Sequence, residues 1–91
     1  MTYNILVCDD DKEIVDAIEI YLVQEGFHVL KAYDGEQALE ILKKEEVHLL
    51  ILDLMMPKLD GIHAMMKIRE DSSIPIIVLS AKTQDTDKIL G

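Results

Sequence analysis

An open, doubly wound α/β domain built on a parallel sheet is the fold this sequence predicts, and two features predict it. Apolar runs of strand length alternate with segments of helical periodicity four times along the chain. Two of those runs, Ile5 to Cys8 and Leu49 to Leu52, are apolar at every position, as strands covered on both faces are. Parallel neighbours need crossover connections, and helices supply them.

The elements follow in order. Ile5 to Cys8 is bounded by Asn4 and by Asp9, Asp10 and Asp11 and reads as the first strand. Ile14, Val15, Ile18 and Leu22 then recur at helical spacing, with Asp11 or a neighbour to cap the start and Gly26 where the helix would stop. His28 to Ala32 is a second strand, and Asp34-Gly35 a turn signal before a helix whose inner face carries Ala38, Leu39 and Leu42.

Leu49 to Leu52 ends abruptly at Asp53, which sets a carboxylate at the tip of a central strand. Pro57 and Asp60-Gly61 hold a loop before Ile62, Met65 and Ile68 begin a third helical stripe. Ile74 to Leu79 supplies a fourth strand ending at Ser80 and Ala81, and Asp85 to Leu90 could begin a fourth helix. The pattern is βαβαβαβα, one domain over residues 1–91.

Composition narrows the function. Hydrophobic residues are 49% of the chain and charged ones 30%, the balance of a packed domain. There are 18 acidic residues against 9 Lys or Arg, a formal charge of -9 that repels nucleic-acid phosphates, so no direct nucleic-acid contact is expected of this segment. No run is apolar enough to span a membrane and no signal segment leads the chain, so the expected address is cytoplasmic. Cys8, alone and inside an apolar run, reads as a small buried hydrophobe. His28, His48 and His63 show no metal-ligand spacing and no partner and are read as surface or loop residues, and the methionines as core filling or a plastic contact surface.

In doubly wound sheets, ligands sit outside the C-terminal ends of the strands. Asp9, Asp10, Asp53 and Ser80 occupy those ends. If the first and third strands are neighbours, as in the flavodoxin-like order, three carboxylates share one crevice. Crowded like charges destabilise a fold unless a cation neutralises them, and magnesium, a hard ion with oxygen ligands, is the natural candidate. A carboxylate can also be the nucleophile toward a phosphoryl group when positive charge offsets the group's oxygens, with the Ser80 hydroxyl as a donor to one of them. Plainer roles stand beside these: Asp10 or Asp11 as a helix cap, Asp53 as acceptor for backbone amides of the next turn, Ser80 bonded to nearby backbone. Their joint placement at three strand ends favours the chemical reading.

The segments VCDDD, LLILDLMMPKLDG and IIVLSAK together resemble the receiver domains of bacterial two-component response regulators, and look most like the OmpR-type subfamily, whose receivers are joined to a winged-helix DNA-binding domain. The resemblance implies a strand order 2-1-3-4. It makes Asp53 the phosphoacceptor, Asp10 a direct Mg2+ ligand, Asp9 a ligand mainly through water, and the Met55 backbone carbonyl a further ligand. It makes Ser80 the hydroxyl that moves toward the phosphoryl group and Ala81 the small residue that leaves it room. It also implies a sensor histidine kinase as donor, and a signalling switch that assists its own phosphorylation rather than an enzyme.

Family receivers continue through a fifth strand and helix, whose basic residue and aromatic switch residue have no counterpart here. The runner-up reading is therefore a binding or dimerisation fragment of the same fold that does not accept phosphate. Its expected partner is a second copy, as a homodimer or domain swap along the apolar edge of the fourth strand. A phosphatase using Asp53 would want an acid two residues later, where Met55 stands. A flavin carrier would want a phosphate-binding loop after the first strand, where three aspartates stand instead.

Overall fold

A computed structural model of the chain describes residues 2–53 and 61–79. The elements are β1 (Asn4–Cys8), α1 (Lys12–Gln24), β2 (His28–Ala32), α2 (Gly35–Lys44), β3 (Leu49–Asp53), α3 (Gly61–Asp71) and β4 (Ile76–Leu79). The four strands form one sheet in the order β2-β1-β3-β4, and every pairing is parallel. This is the predicted order. The fourth helix expected from Asp85 lies outside the described residues.

Alternation along the central strands divides the core in two. Leu6, Cys8, Leu50 and Leu52 pack with Ala38 of α2 and Ile68 of α3 on one face. Ile5, Val7 and Ile51 pack with Val15 of α1 on the other. Among the described residues one helix lies on one face and two on the other, the doubly wound arrangement, which explains why β1 and β3 are apolar at successive positions.

The cap of α1 is one of the residues expected for it, and that of α2 is a residue read in the sequence only as part of a turn. Asp11 is the N-cap of α1, and its Oδ1 accepts the Glu13 N–H at 2.9 Å. Asp34 caps α2 by accepting the Gln37 N–H at 2.8 Å, while Gln37 reaches back to accept the Tyr33 N–H at 2.8 Å. The two exchanges resemble a capping box displaced by one residue. Gly26 ends α1 at φ +93°, a left-handed conformation that other residues adopt only at a cost.

The structure corrects several expectations. β4 begins at Ile76 rather than Ile74, because Pro75 has no N–H to give a ladder and the Ile74 amide is held by the Ser72 hydroxyl at 3.2 Å. The Ile74 carbonyl accepts from Arg69 at 2.7 Å, sealing the α3–β4 connection. In α3 the buried stripe is Ala64 and Ile68 with Met65 beside them, and Ile62 is exposed on the first turn. In α1, Ile14 is also exposed, and Val15, Ile18 and Leu22 carry the packing. The histidines keep the surface or loop places expected of them, His28 and His63 exposed and His48 in the turn before β3, but His28 and His48 do have hydrogen-bond partners. No helix among the described residues is long and apolar enough to cross a membrane.

Candidate phosphoacceptor and metal site

Register brings the acids together. Cys8 of β1 lies opposite Leu52 of β3, so the residues that follow, Asp9 and Asp53, leave the sheet at the same height on adjacent strands. The ladder between β1 and β2 continues one step further, with the Asp9 amide donating to the Ala32 carbonyl at 3.2 Å. That bond fixes the Asp9 backbone where the chain turns toward α1. The Asp9 carboxylate in turn accepts the Asp11 N–H at 3.0 Å. Asp9 thus stiffens the turn while Asp11 caps the helix, so of the acids weighed for the cap it is Asp11 that takes it, and Asp10 is left exposed.

Asp9 and Asp53 are almost wholly buried, at 2% and 1% exposure. With Asp10 they form a cluster in which one carboxylate oxygen from each residue lies within 4.8 Å of the others. Burying two carboxylates beside a third is costly unless cationic charge or hydrogen bonds compensate. The donor set is made of hard oxygens only and opens toward solvent at Asp10. A small divalent ion that keeps several of its waters fits such a set, whereas soft or nitrogen-preferring metals do not.

Cys8 lies directly beneath this cluster. Its thiol faces the Asp34 carbonyl at 3.4 Å. Burial pushes it up to about 12, and the Asp34, Asp9, Asp53 and Asp10 carboxylates add to the effect. The residue is therefore a buried, inert thiol, as its apolar setting suggests. Since the folded chain keeps this proton and the unfolded chain loses it from about pH 8.5 upward, the unfolded state binds fewer protons in that range. Stability is then expected to fall as pH rises from there toward about 12. Urea titrations of the chain and of Cys8→Ala across that range check this: the alanine variant should show the shallower decline, and parallel curves would remove the thiol from the account.

Of the residues singled out in the sequence, Asp9, Asp10 and Asp53 are brought together. Met55, Ser80 and Ala81 lie outside the described residues. Asp34, in the sequence half of a turn dipeptide, also follows a strand, and its carboxylate caps α2 and bears on Cys8. The strand-end rule, applied to β2 as to β1 and β3, would have found it.

The family described as response regulator receiver domain matches residues 5–90. Over all 91 residues the chain is 42% identical to response regulator GtcR of Aneurinibacillus migulanus and 43% identical to regulatory protein VanR of Enterococcus faecium. It spans 38% and 39% of the length of those two proteins. Among solved structures, the N-terminal domain of a response regulator receiver protein from Methanoculleus marisnigri superposes with a TM-score of 0.85 at 33% identity, over 97% of this chain and 76% of that one.

Proposed function

The chain belongs to the response regulator receiver domain family, and on that premise we propose that it is a phosphoacceptor switch whose acceptor is Asp53. One observation supports this above the others: Asp9, Asp10 and Asp53 converge at the ends of the adjacent strands β1 and β3. In this reading a sensor histidine kinase is the donor, residues 1–91 act as one receiver unit, and the signal passes to an OmpR-type DNA-binding output domain.

Asp9, Asp10 and Asp53, with the Met55 carbonyl, would hold Mg2+. When bound, it would supply positive charge against the oxygens of the transferring group. An Asp53 carboxylate oxygen attacks phosphorus, the bond from phosphorus to the donor's imidazole nitrogen breaks, and that nitrogen keeps the electron pair and takes a proton. Asp53 needs no base, because a carboxylate is already the nucleophile. Ser80 donates to a phosphoryl oxygen and Ala81 leaves the group room. The phosphoryl group carries about -1.5 to -2 charge where the Asp53 carboxylate carried one, so a cluster that is already anionic gains up to about one further negative charge and three acceptor oxygens, which biases the domain between two surfaces. The chain promotes its own modification and regenerates no catalyst, so it is a substrate rather than an enzyme.

Intact mass after incubation with acetyl phosphate tests the reading. One phosphoryl adduct should appear with magnesium and vanish with a chelator. Absence of any adduct in both conditions would favour a binding fragment of the same fold. The surface for a second chain or a domain swap would then be the outer edge of β4, which pairs with β3 alone among the described residues. Ile77 and Val78 on that strand are 50% and 39% exposed, and a sedimentation profile of pure monomer would count against such an edge contact.

A further inference from the structure

At the end of the sheet opposite the aspartates, three strands are tied together by one residue, Asn4. Its backbone amide donates to Nδ1 of His48 at 2.9 Å, and its backbone carbonyl accepts the His48 amide at 2.9 Å. Its side-chain Nδ2 donates to the Glu46 carbonyl at 2.6 Å. Its Oδ1 lies 3.0 Å from Nδ1 of His28. Asn4 of β1 thereby holds the start of β2 on one side and the turn before β3 on the other.

The donors fix the protonation of both rings. With the Asn4 amide nitrogen engaged by a carbonyl, its Oδ1 is an acceptor, so His28 presents N–H at Nδ1. His48 is the reverse case: a backbone N–H can only donate, so Nδ1 of His48 carries the lone pair and the ring is neutral with its proton on Nε2. The two contacts consequently respond differently to acid. Imidazolium has N–H at both nitrogens, which leaves the His28 bond intact and sets two donors face to face between His48 and Asn4.

We propose that His48 is a proton-operated latch on the central strand, holding the Asn4 amide when neutral and releasing it when protonated. The titratable groups around it, among the described residues, come from three directions. The Glu46 carboxylate stands 3.5 Å from Nε2, the Tyr3 ring meets the imidazole edge-on at a centroid distance of 5.2 Å, and His28 lies across the Asn4 side chain. Nε2–H can face the Glu46 carboxylate in either state of the ring, and the Tyr3 contact is made by the ring edge rather than through a shared proton. The Asn4 amide is therefore the contact that changes. Release unfastens β1 where it enters the sheet, at the far end from the phosphoacceptor candidate, and does not depend on that assignment.

Amide hydrogen exchange on the full chain, read by NMR at about pH 7.5 and about pH 5.5 and corrected for intrinsic exchange, tests the latch. Protection of the Asn4 amide should drop about fivefold at the lower pH, the scale of one hydrogen bond. The His48 ring should report an unprotonated Nδ1 at the higher pH. His48→Gln, whose side-chain oxygen can accept the same amide without titrating, should abolish the pH response, whereas His28→Gln should keep it. Equal protection at both pH values in the unaltered chain, or the same response in His48→Gln, overturns the proposal.

Discussion

Asp53→Asn is expected to take up no phosphoryl group under conditions in which the unaltered chain acquires one. The amide is close to the carboxylate in shape, which matters because Asp53 is 1% exposed and a larger or smaller side chain would have to be accommodated in a packed strand end. What changes is chemistry: the neutral amide is a poor nucleophile toward phosphorus and a weaker ligand for a hard cation. Two readouts separate those losses. Intact mass follows the adduct, and the rise in unfolding free energy with added magnesium follows the ion, about 2.7 kcal/mol at a hundredfold excess over the dissociation constant for a site intact only in the folded chain. The variant should show no adduct and a smaller magnesium response with an unchanged circular dichroism spectrum. An undiminished adduct would move the acceptor to another residue.

Strand positions in β1 and β3 were legible because apolar runs covered on both faces leave little freedom in where a strand starts, and both ended at a carboxylate that cannot enter the core alone. The grouping of Asp9, Asp10 and Asp53 was legible for the same reason, since the residues at strand ends are read directly from where the apolar runs stop. Helix faces were read less well. Ile62 and Ile14 match the spacing of their stripes, yet both sit exposed on first turns, and Ala64, too small to weigh in a hydropathy pattern, is fully buried. Periodicity gives the direction of a face but not how far along the helix its neighbours extend.

Histidines were missed for a different reason. Residue spacing carries information about metal ligation, but the bonds of His28 and His48 run to Asn4 across 24 and 44 residues and exist only through the parallel pairing of β1 with β2 and β3. The role of Asp34 likewise depends on a contact between β1 and the loop after β2. Such contacts follow from topology once it is known, and no local motif announces them.

Leu6→Ala is expected to bring the largest loss of stability. Leu6 is fully buried in the middle of β1, one of the two strands with a neighbour on each side, and lies level with Leu30 of β2 and Leu50 of β3. Its side chain packs on the face covered by α2 and α3, together with Leu50, Leu52 and Ala38. Truncation removes the transfer energy of the lost methyl groups and leaves a cavity that a sheet paired on both sides cannot close, a combined cost of about 2–5 kcal/mol. Domains of this kind are stable by about 5–15 kcal/mol, so a single substitution would consume a substantial share. Urea unfolding should show a lower midpoint with an unchanged slope, because the surface exposed on unfolding is nearly the same. Tyr21→Ala, on the exposed face of α1, should shift stability by no more than about 0.5 kcal/mol. A Leu6→Ala cost as small as that of Tyr21→Ala would mean that α2 and α3 do not hold the sheet as tightly as the packing indicates. The positions of Asp9 and Asp53 depend on that grip, since β1 and β3 reach the site only as far as their shared register carries them.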